Sequence, residues 1–594
     1  MRSPNIHTGI AAGLLTGFGL MAGLATANHG PDVGLHPGYT LMTIRPDSFK
    51  PAVAGMEFMP NGDLMVLTWR GSTGPQATHD GTTIPKVGTR TGEGKLYRLT
   101  NVKGADRNAI TVTEVAAGFK DAQGVTVVNG EVYVGDIDRI VKMVDADKDG
   151  KFEAKQEVGK LPSYDSWFEY AFGPVHKDGK LYMALAVGVK ASGDTIKQMG
   201  PGRGTVVSVP IGGGNYSVVA AGLRAPDGIG IGPDGDIFVT DNQGGFRPSS
   251  QFHHIVQGRF YGYFLVPPDP IQVLTNGKTS LPAIWTPHKE ANESPTEPYL
   301  MTAGTFKGQF IYGDIGRGGI YRAFLEKVKN EWQGAVFCMS GGLEVGVHRI
   351  RTTTDGAIYI GGLGGGGHDN QGWNGTTFGL QKLTPKAGVT TFEILSVRSR
   401  AGGMELEFTK PVGADADQAA KYAVSQWKYT PTASYGGPKQ ETQVRTVSAV
   451  QVSPDKMKVY LEIAGLKVGQ VVHIATTGLK AEGGDSLWYP KTWYTLNAIS
   501  DSKPFEVPTA IRVDAPQYMQ TDLKVEHLAG ALRAEWPGEA AFTLQLIDLN
   551  GAVVAQGASA GGKASLSTKA LRSGLYVLRA VGAAHAMKSR PVLL

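Results

Sequence analysis

Apolar and polar positions alternate in short runs over the first two thirds of the chain, and the runs come in pairs. Met56-Glu57-Phe58-Met59 and Leu64-Met65-Val66-Leu67 flank the turn Pro60-Asn61-Gly62-Asp63. The same phrase returns at Val125 to Val134 around Asn129-Gly130, and at Ala171 to Ala184 around Lys177-Asp178-Gly179. It returns again at Ile229 to Thr240 around Pro233-Asp234-Gly235, and at His348 to Ile360 around Thr354-Asp355-Gly356. A looser copy runs from Thr305 to Ile311 and on to Gly319-Ile320-Tyr321-Arg322. Asn-Gly and Asp-Gly tolerate the positive φ of tight hairpin turns. The alternation of Leu64 with Val66, or Ile237 with Val239, is the period of a half-buried strand. Six such hairpins predict six four-stranded blades, an all-β six-bladed β-propeller. One large sandwich would not explain why a single hairpin recurs six times.

The texture changes after Leu383. Residues 388–498 keep strands, such as Met404-Glu405-Leu406-Glu407-Phe408 and Lys458-Val459-Tyr460-Leu461-Glu462-Ile463, without the propeller hairpin. That length fits one immunoglobulin-like β-sandwich. A linker is expected over 499–515 and a small C-terminal β domain over 516–594, with strands at Phe542 to Asp548 and Gly574 to Ala580. The start of the chain reads as an export signal over 1–27. Arg2 is followed by the apolar stretch Ile10 to Leu24 and the small-x-small triplet Ala25-Thr26-Ala27. The propeller would then occupy 28–387. No later segment is long and apolar enough to span a bilayer.

Composition narrows the field. The chain has 594 residues, 82 of them Gly, and a net charge of only +5. That charge, with no basic run, argues against nucleic acid as a partner. The single cysteine, Cys338, excludes internal disulfides, a Cys-x-x-Cys-His haem site and a four-cysteine metal site. Its apolar surroundings predict a buried, inert thiol.

Candidate chemistry falls into four groups. Asp145, Asp147 and Asp149 alternate before Gly150, the front half of a calcium loop. Gln156 stands where the closing bidentate Glu would be. Histidines cluster in the predicted loops: His253, His254, His288, His348 and His368. Arg224, Arg349 and Arg351 offer guanidinium forks suited to carboxylates, a cofactor's anionic oxygens or an acidic sugar. Arg349 and Arg351 are two apart on one strand, so they share a face. Trp69, Tyr164, Trp167, Tyr261 and Trp285 are candidates for stacking on sugar rings.

The block Gly222-Leu223-Arg224-Ala225-Pro226-Asp227-Gly228, continuing to Asp241-Asn242-Gln243-Gly244, resembles the quinone-dependent glucose/sorbosone dehydrogenase propellers. So do Gly258-Arg259-Phe260-Tyr261-Gly262-Tyr263, Phe306 to Asp314, and Arg349-Ile350-Arg351 before Asp355-Gly356. The resemblance implies pyrroloquinoline quinone as a cofactor, held by Arg224, Arg349 and Arg351 with Asn242 and Gln243 beside them. Four departures stand against it. Asp165-Ser166-Trp167-Phe168-Glu169 occupies the place of the family's catalytic His, Ala225 that of an Asn, Gly316-Arg317 the region of a lysine, and Phe246-Arg247-Pro248-Ser249-Ser250 that of a calcium-binding acidic run. Asp165, Glu169 or His254 is left as the proton acceptor from a sugar hydroxyl. The last 80 residues, with Ser573-Gly574-Leu575-Tyr576-Val577-Leu578-Arg579-Ala580, resemble a sorting domain of type IX-like secretion, which implies delivery to the cell surface or medium.

Three functions follow. The first is an exported dehydrogenase-like oxidoreductase acting on a sugar or polysaccharide-derived alcohol with an external electron acceptor. The second is a non-enzymatic carbohydrate-binding or cell-surface protein. The third is a metal-dependent lyase or hydrolase.

Overall fold

The computed structural model describes residues 32–69, 92–163, 169–188, 202–265, 268–364, 376–505, 523–528, 530–536, 541–548, 553–571, 575–582 and 587–593. The chain forms two compact units, Met1–Phe505 and Glu506–Leu594. Strand dominates both.

The first unit opens with a six-bladed propeller of antiparallel sheets. Blade 1 is Val53–Phe58, Leu64–Thr68, Gly94–Thr100 and Thr111–Phe119. Blade 2 is Gly124–Val128, Glu131–Gly135, Arg139–Val144 and Ala154–Lys160. Blade 3 is Ala171–Lys177, Lys180–Leu185, Thr205–Pro210 and Ser217–Ala221. Blade 4 is Pro226–Ile231, Ile237–Asp241, Ser250–Ile255 and Ile284–Thr286. Blade 5 is Tyr299–Leu300, Phe310–Gly313, Ile320–Val328 and Glu331–Ser340. Blade 6 is Val347–Thr352, Ile358–Leu363 and Phe378–Pro385, completed by Tyr39–Thr43 from the start of the propeller, with Tyr39 opposite Pro385. That strand closes the ring by ladder hydrogen bonds and by packing Tyr39 and Leu41 against Leu383 and Ile358.

Hairpin turns follow the chemistry of their residues. Asn129-Gly130, Asp178-Gly179 and Asp234-Gly235 all have positive φ at both residues, the backbone that such pairs accept cheaply. The strands beside them are more buried than the alternation suggests. Every residue of Leu64–Thr68 is buried. Leu64 and Val66 join Tyr97 and Tyr359 in one core, while Met65 and Leu67 join Val125 and Val132 in another. Each blade is packed between two others, so period two sorts side chains between neighbouring blades rather than between core and solvent. Each such burial contributes about 1.5–3 kcal/mol.

Blade 5 differs from expectation by one strand. The expected fifth hairpin contains the second and third strands, and the inner strand is only Tyr299–Leu300. Pro295 and Pro298 precede it, and each removes a ladder donor.

The sandwich pairs Ile394–Arg400, Gly403–Phe408, Lys458–Ile463 and Val447–Val452 in one sheet. Its second sheet, Lys491–Leu496, Gln470–Thr476, Tyr422–Lys428 and Gln440–Arg445, is continuous with blade 5. Gly334, Ala335 and Val336 of the outer blade-5 strand pair with Thr495, Tyr494 and Trp493. Phe324 and Phe337 of blade 5 enter the sandwich core with Val397, Leu406, Val472 and Tyr494. The second unit packs the sheet Lys524–Leu528, Ala531–Glu535, Lys563–Ser567 against Val553–Ala558, Phe542–Ile547, Leu575–Gly582, Met587–Leu593 over Leu532, Leu544 and Leu578.

Candidate functional site

Inner strands begin at one end of the propeller, here the mouth end, and reach the Asn-Gly and Asp-Gly turns at the other. Side chains at the mouth end come from the connections between blades and between the second and third strands of each blade.

Arg349 and Arg351 project from the inner strand of blade 6 onto the inner strands of other blades. Arg349 donates from Nε to the Ala54 carbonyl (2.8 Å, blade 1) and from Nη2 to the Gln123 carbonyl (2.8 Å, entering blade 2). Its Nη1 donates to the His348 and Asp227 carbonyls at 2.8 and 3.4 Å, the latter in blade 4. The Phe172 ring of blade 3 lies 5.6 Å away. Arg351 donates to Glu57 Oε2 at 3.0 Å, and to Glu297 Oε2 and Oε1 at 2.6 and 3.2 Å. The two arginines are 2% and 5% exposed. Burial lowers the Arg349 pKa. Burial also opposes the charge of Arg351, but Glu297 and Glu57 outweigh it and raise the pKa. Beside them His348 places Nδ1 2.7 Å from the Val53 carbonyl and Nε2 3.1 Å from Asp227 Oδ1. The expected shared face is present, and it faces groups of the other blades.

Arg224 lies in a different set of partners. Its Nη1 donates to the Gln243 carbonyl at 2.8 Å, and its guanidinium sits 5.2 Å from the centre of the Tyr435 ring, contributed by the sandwich. Asp241, fully buried, accepts the backbone N–H groups of Arg224 and Ala225 (3.0 and 2.7 Å) and Arg247 Nε (2.7 Å). Burial disfavours that carboxylate, but Arg247 and His253 hold its pKa below the usual range. His253 is itself pushed down to about 4, chiefly by burial. Gln243 donates from Nε2 to the Pro248 carbonyl (3.0 Å). Asn242 donates its backbone N–H to the Ala225 carbonyl (3.1 Å), and its buried Oδ1 has no hydrogen-bond partner among the described residues.

The proton acceptors are not brought together. Asp165 lies outside the described residues, as do Tyr164, Trp167 and His368. Glu169 is at the mouth end, fully buried, and accepts from the Ser163 hydroxyl at 2.7 Å. His254 is at the opposite end of blade 4. The register pairs it with Phe238, next to the turn, and its Nε2 is 3.0 Å from Asp236. Asp236 is held down to about 2, first by that hydrogen bond. The antiparallel strand order therefore separates His254 from Arg224 by the length of the blade.

The three aspartates converge as expected, and Glu153 joins them. Ligand oxygens of Asp145, Asp147, Asp149 and Glu153 lie within 4.8 Å of one another, on the connection between the last two strands of blade 2, at the turn end. Gly150 has φ +87° and donates its N–H to Asp145 Oδ2 (3.0 Å). Four hard oxygen donors suit Ca²⁺. Cys338 is buried, which raises its pKa well above the ordinary thiol value.

A quinone fits these arginines poorly. Its carboxylates would need guanidinium N–H groups facing the mouth. Those of Arg349 and Arg351 are spent on carbonyls and carboxylates of other blades. Arg224 is 4% exposed, between the blade-4 loop and Tyr435. The residues present do not form the expected cofactor cradle.

The partners that make these networks, Glu57, Asp227, Glu297, Asp241 and Tyr435, carry no local pattern that marks them as such. One repeated signal was there. Val134-Gly135-Asp136, Val239-Thr240-Asp241 and Tyr312-Gly313-Asp314 repeat an Asp at the end of the second strand. Asp314 accepts the N–H groups of Glu293, Ser294, Gly316 and Arg317 at 2.5 to 3.1 Å, pinning the connection into blade 5.

No family model matches this sequence, and no curated protein matches it. Among solved structures, the PQQ-bound aldose sugar dehydrogenase from Streptomyces coelicolor is similar at 15% identity and TM-score 0.38, over 59% of this chain and 100% of that one. The Trichoderma reesei family AA12 enzyme is similar at 12% identity and TM-score 0.42, over 60% of this chain and 98% of that one. The holo pyranose dehydrogenase PQQ domain from Coprinopsis cinerea is similar at 11% identity and TM-score 0.39, over 60% of this chain and 98% of that one.

Proposed function

We propose that this protein is an exported carbohydrate-binding propeller, dehydrogenase-like in fold, that works without a quinone. The axial arginines carry the reading: Arg349 and Arg351, the pair expected to hold the cofactor, each donate four hydrogen bonds to protein acceptors and are nearly fully buried. Removing one partner from such a network leaves buried charge or polar groups uncompensated, at a cost of about 3–5 kcal/mol. Turning these side chains toward a ligand would incur that cost. The carbohydrate element is supported by the likeness of the Arg224 block and the Arg-Ile-Arg phrase to sugar dehydrogenase propellers. Export is supported by the pattern of residues 1–27, and surface delivery by the C-terminal phrase. Calcium, held by Asp145, Asp147, Asp149 and Glu153, would brace blade 2 away from the mouth.

The test adds pyrroloquinoline quinone and Ca²⁺ to the pure chain, with a sugar panel and a redox dye. The expected result is no new absorbance band and no sugar-dependent dye reduction, together with depletion of the protein by insoluble glycans. Quinone uptake with sugar-dependent dye reduction would overturn the proposal in favour of an oxidoreductase. Chelator-sensitive depolymerisation would overturn it in favour of a lyase or hydrolase.

A further inference from the structure

One segment of the sandwich pairs with the mouth-end loop of blade 4. That segment, Thr430 to Pro438, lies along the loop between the second and third strands of blade 4. Phe246 N–H donates to the Thr432 carbonyl (2.7 Å), Gly436 N–H to the Gly244 carbonyl (3.0 Å) and Gly437 N–H to the Pro248 carbonyl (3.0 Å). Gly245 and Tyr435 form a bridge between these hydrogen bonds. Three glycines permit the approach. A Cβ at Gly244 would stand 2.0 Å from the Arg224 guanidinium, and one at Gly436 or Gly437 would stand 3.0 Å from Gln243 or Pro248. Phe246 is held at φ +56°. For a bulky residue that conformation costs about 1–3 kcal/mol, and such strain collects where geometry is functional.

This pairing displays Tyr435. One face of its ring covers the Arg224 guanidinium, yet the residue is 57% exposed. A ring fixed by backbone hydrogen bonds on both sides loses little entropy on binding. Beyond the Arg224 guanidinium beneath it, the ring's described neighbours along the loop and the segment are polar: Thr432 and Ser434 are exposed and Gln243 is half-exposed. The nearest cation along the segment, Lys439, is paired with Glu290 at 2.5 Å and sits over the Trp427 ring. A lipid surface would call for a wider apolar patch, and a nucleic acid for free cations. An aromatic face rimmed by hydroxyls and an amide matches a pyranose ring, which has an apolar C–H face and hydroxyls at its edge.

We infer that Tyr435, presented by the sandwich on the mouth end of blade 4, is the stacking platform for a sugar ring. The inference rests on the carbohydrate reading above and locates it: the sandwich completes the propeller's binding surface, with Gln243 and Thr432 beside the ring.

The experiment measures binding of cellopentaose, xylopentaose, mannopentaose and pentagalacturonate to the full chain by calorimetry, for wild type, Tyr435→Ala and Tyr435→Trp. The expected result is that at least one pentasaccharide binds, that Tyr435→Ala weakens it about tenfold or more, as for a dominant aromatic anchor, and that Tyr435→Trp retains it. Unchanged melting temperature in both variants keeps the comparison on binding. Equal binding by wild type and Tyr435→Ala would overturn the platform and leave the carbohydrate reading standing. Failure of all four sugars and of the insoluble glycans would overturn both.

Discussion

Asp136, Asp241 and Asp314 occupy one position in three blades, and their environments set them apart. Asp241 has Arg247 against it and stays well below the usual range. Asp314 relies on backbone N–H groups, and burial raises it to about 6. Asp136 is likewise raised to about 6 by burial. An unfolded Asp titrates near 3.9, so between about pH 4 and pH 6 the folded chain binds more protons at these two sites than the unfolded chain does. Their contribution to stability is therefore full below about pH 4 and is lost as the pH rises through about 6. Asp314→Asn removes one titration. Its urea-unfolding free energy should fall less than that of wild type between pH 4.5 and pH 7, by up to about 2 kcal/mol. The difference reports on the site together with the neighbours it couples to, Glu293 and Arg317. Parallel curves would show that Asp314 is not raised.

At the scale of elements, the acidic loop of blade 2 and the hairpins were legible for the same reason: local chemistry fixes local geometry. Asp145, Asp147 and Asp149 converge because alternate residues around Gly150 leave them little choice, and Glu153 closes the group four residues on. Micromolar to millimolar Ca²⁺ should raise the melting temperature by several degrees, since a hundredfold excess over Kd stabilises by about 2.7 kcal/mol. Asp147→Asn with Asp149→Asn should abolish the shift, which calorimetry with and without chelator would read. A wild-type melt indifferent to calcium would remove the metal. What could not be read locally was what lies opposite each element. Arg349 and Arg351 were placed on one face correctly by their spacing. Their role depends on Ala54, Glu57, Gln123 and Glu297, which are 54 to 295 residues away in sequence. The inner strand of blade 5 was missed because two residues after two prolines carry no alternation to detect.

For the first unit as a whole, the propeller and the sandwich share a sheet, a core and the segment that carries Tyr435. The sandwich core takes in Phe324 and Phe337 of blade 5, and Asn497 Nδ2 donates to the Pro282 and Trp332 carbonyls at 2.8 and 3.2 Å. Gln333 Nε2 donates to the Tyr494 hydroxyl (2.6 Å) and to the Ala498 carbonyl (3.0 Å). A chain ending at residue 387 would expose that strand of blade 5 with its backbone donors unpaired, an invitation to edge-to-edge association. It would also expose the two phenylalanines, each worth about 1.5–3 kcal/mol when buried. A chain ending at Phe505 leaves all of these contacts in place. We therefore expect the chain to Phe505 to melt in one transition at the temperature of the corresponding transition in the full chain. The chain to residue 387 should melt several degrees lower or associate, as scanning calorimetry with light scattering would register. If the shorter chain melted like the longer one, the sandwich would be an independent passenger, and its hold on Tyr435 would have to come from the blade-4 loop alone.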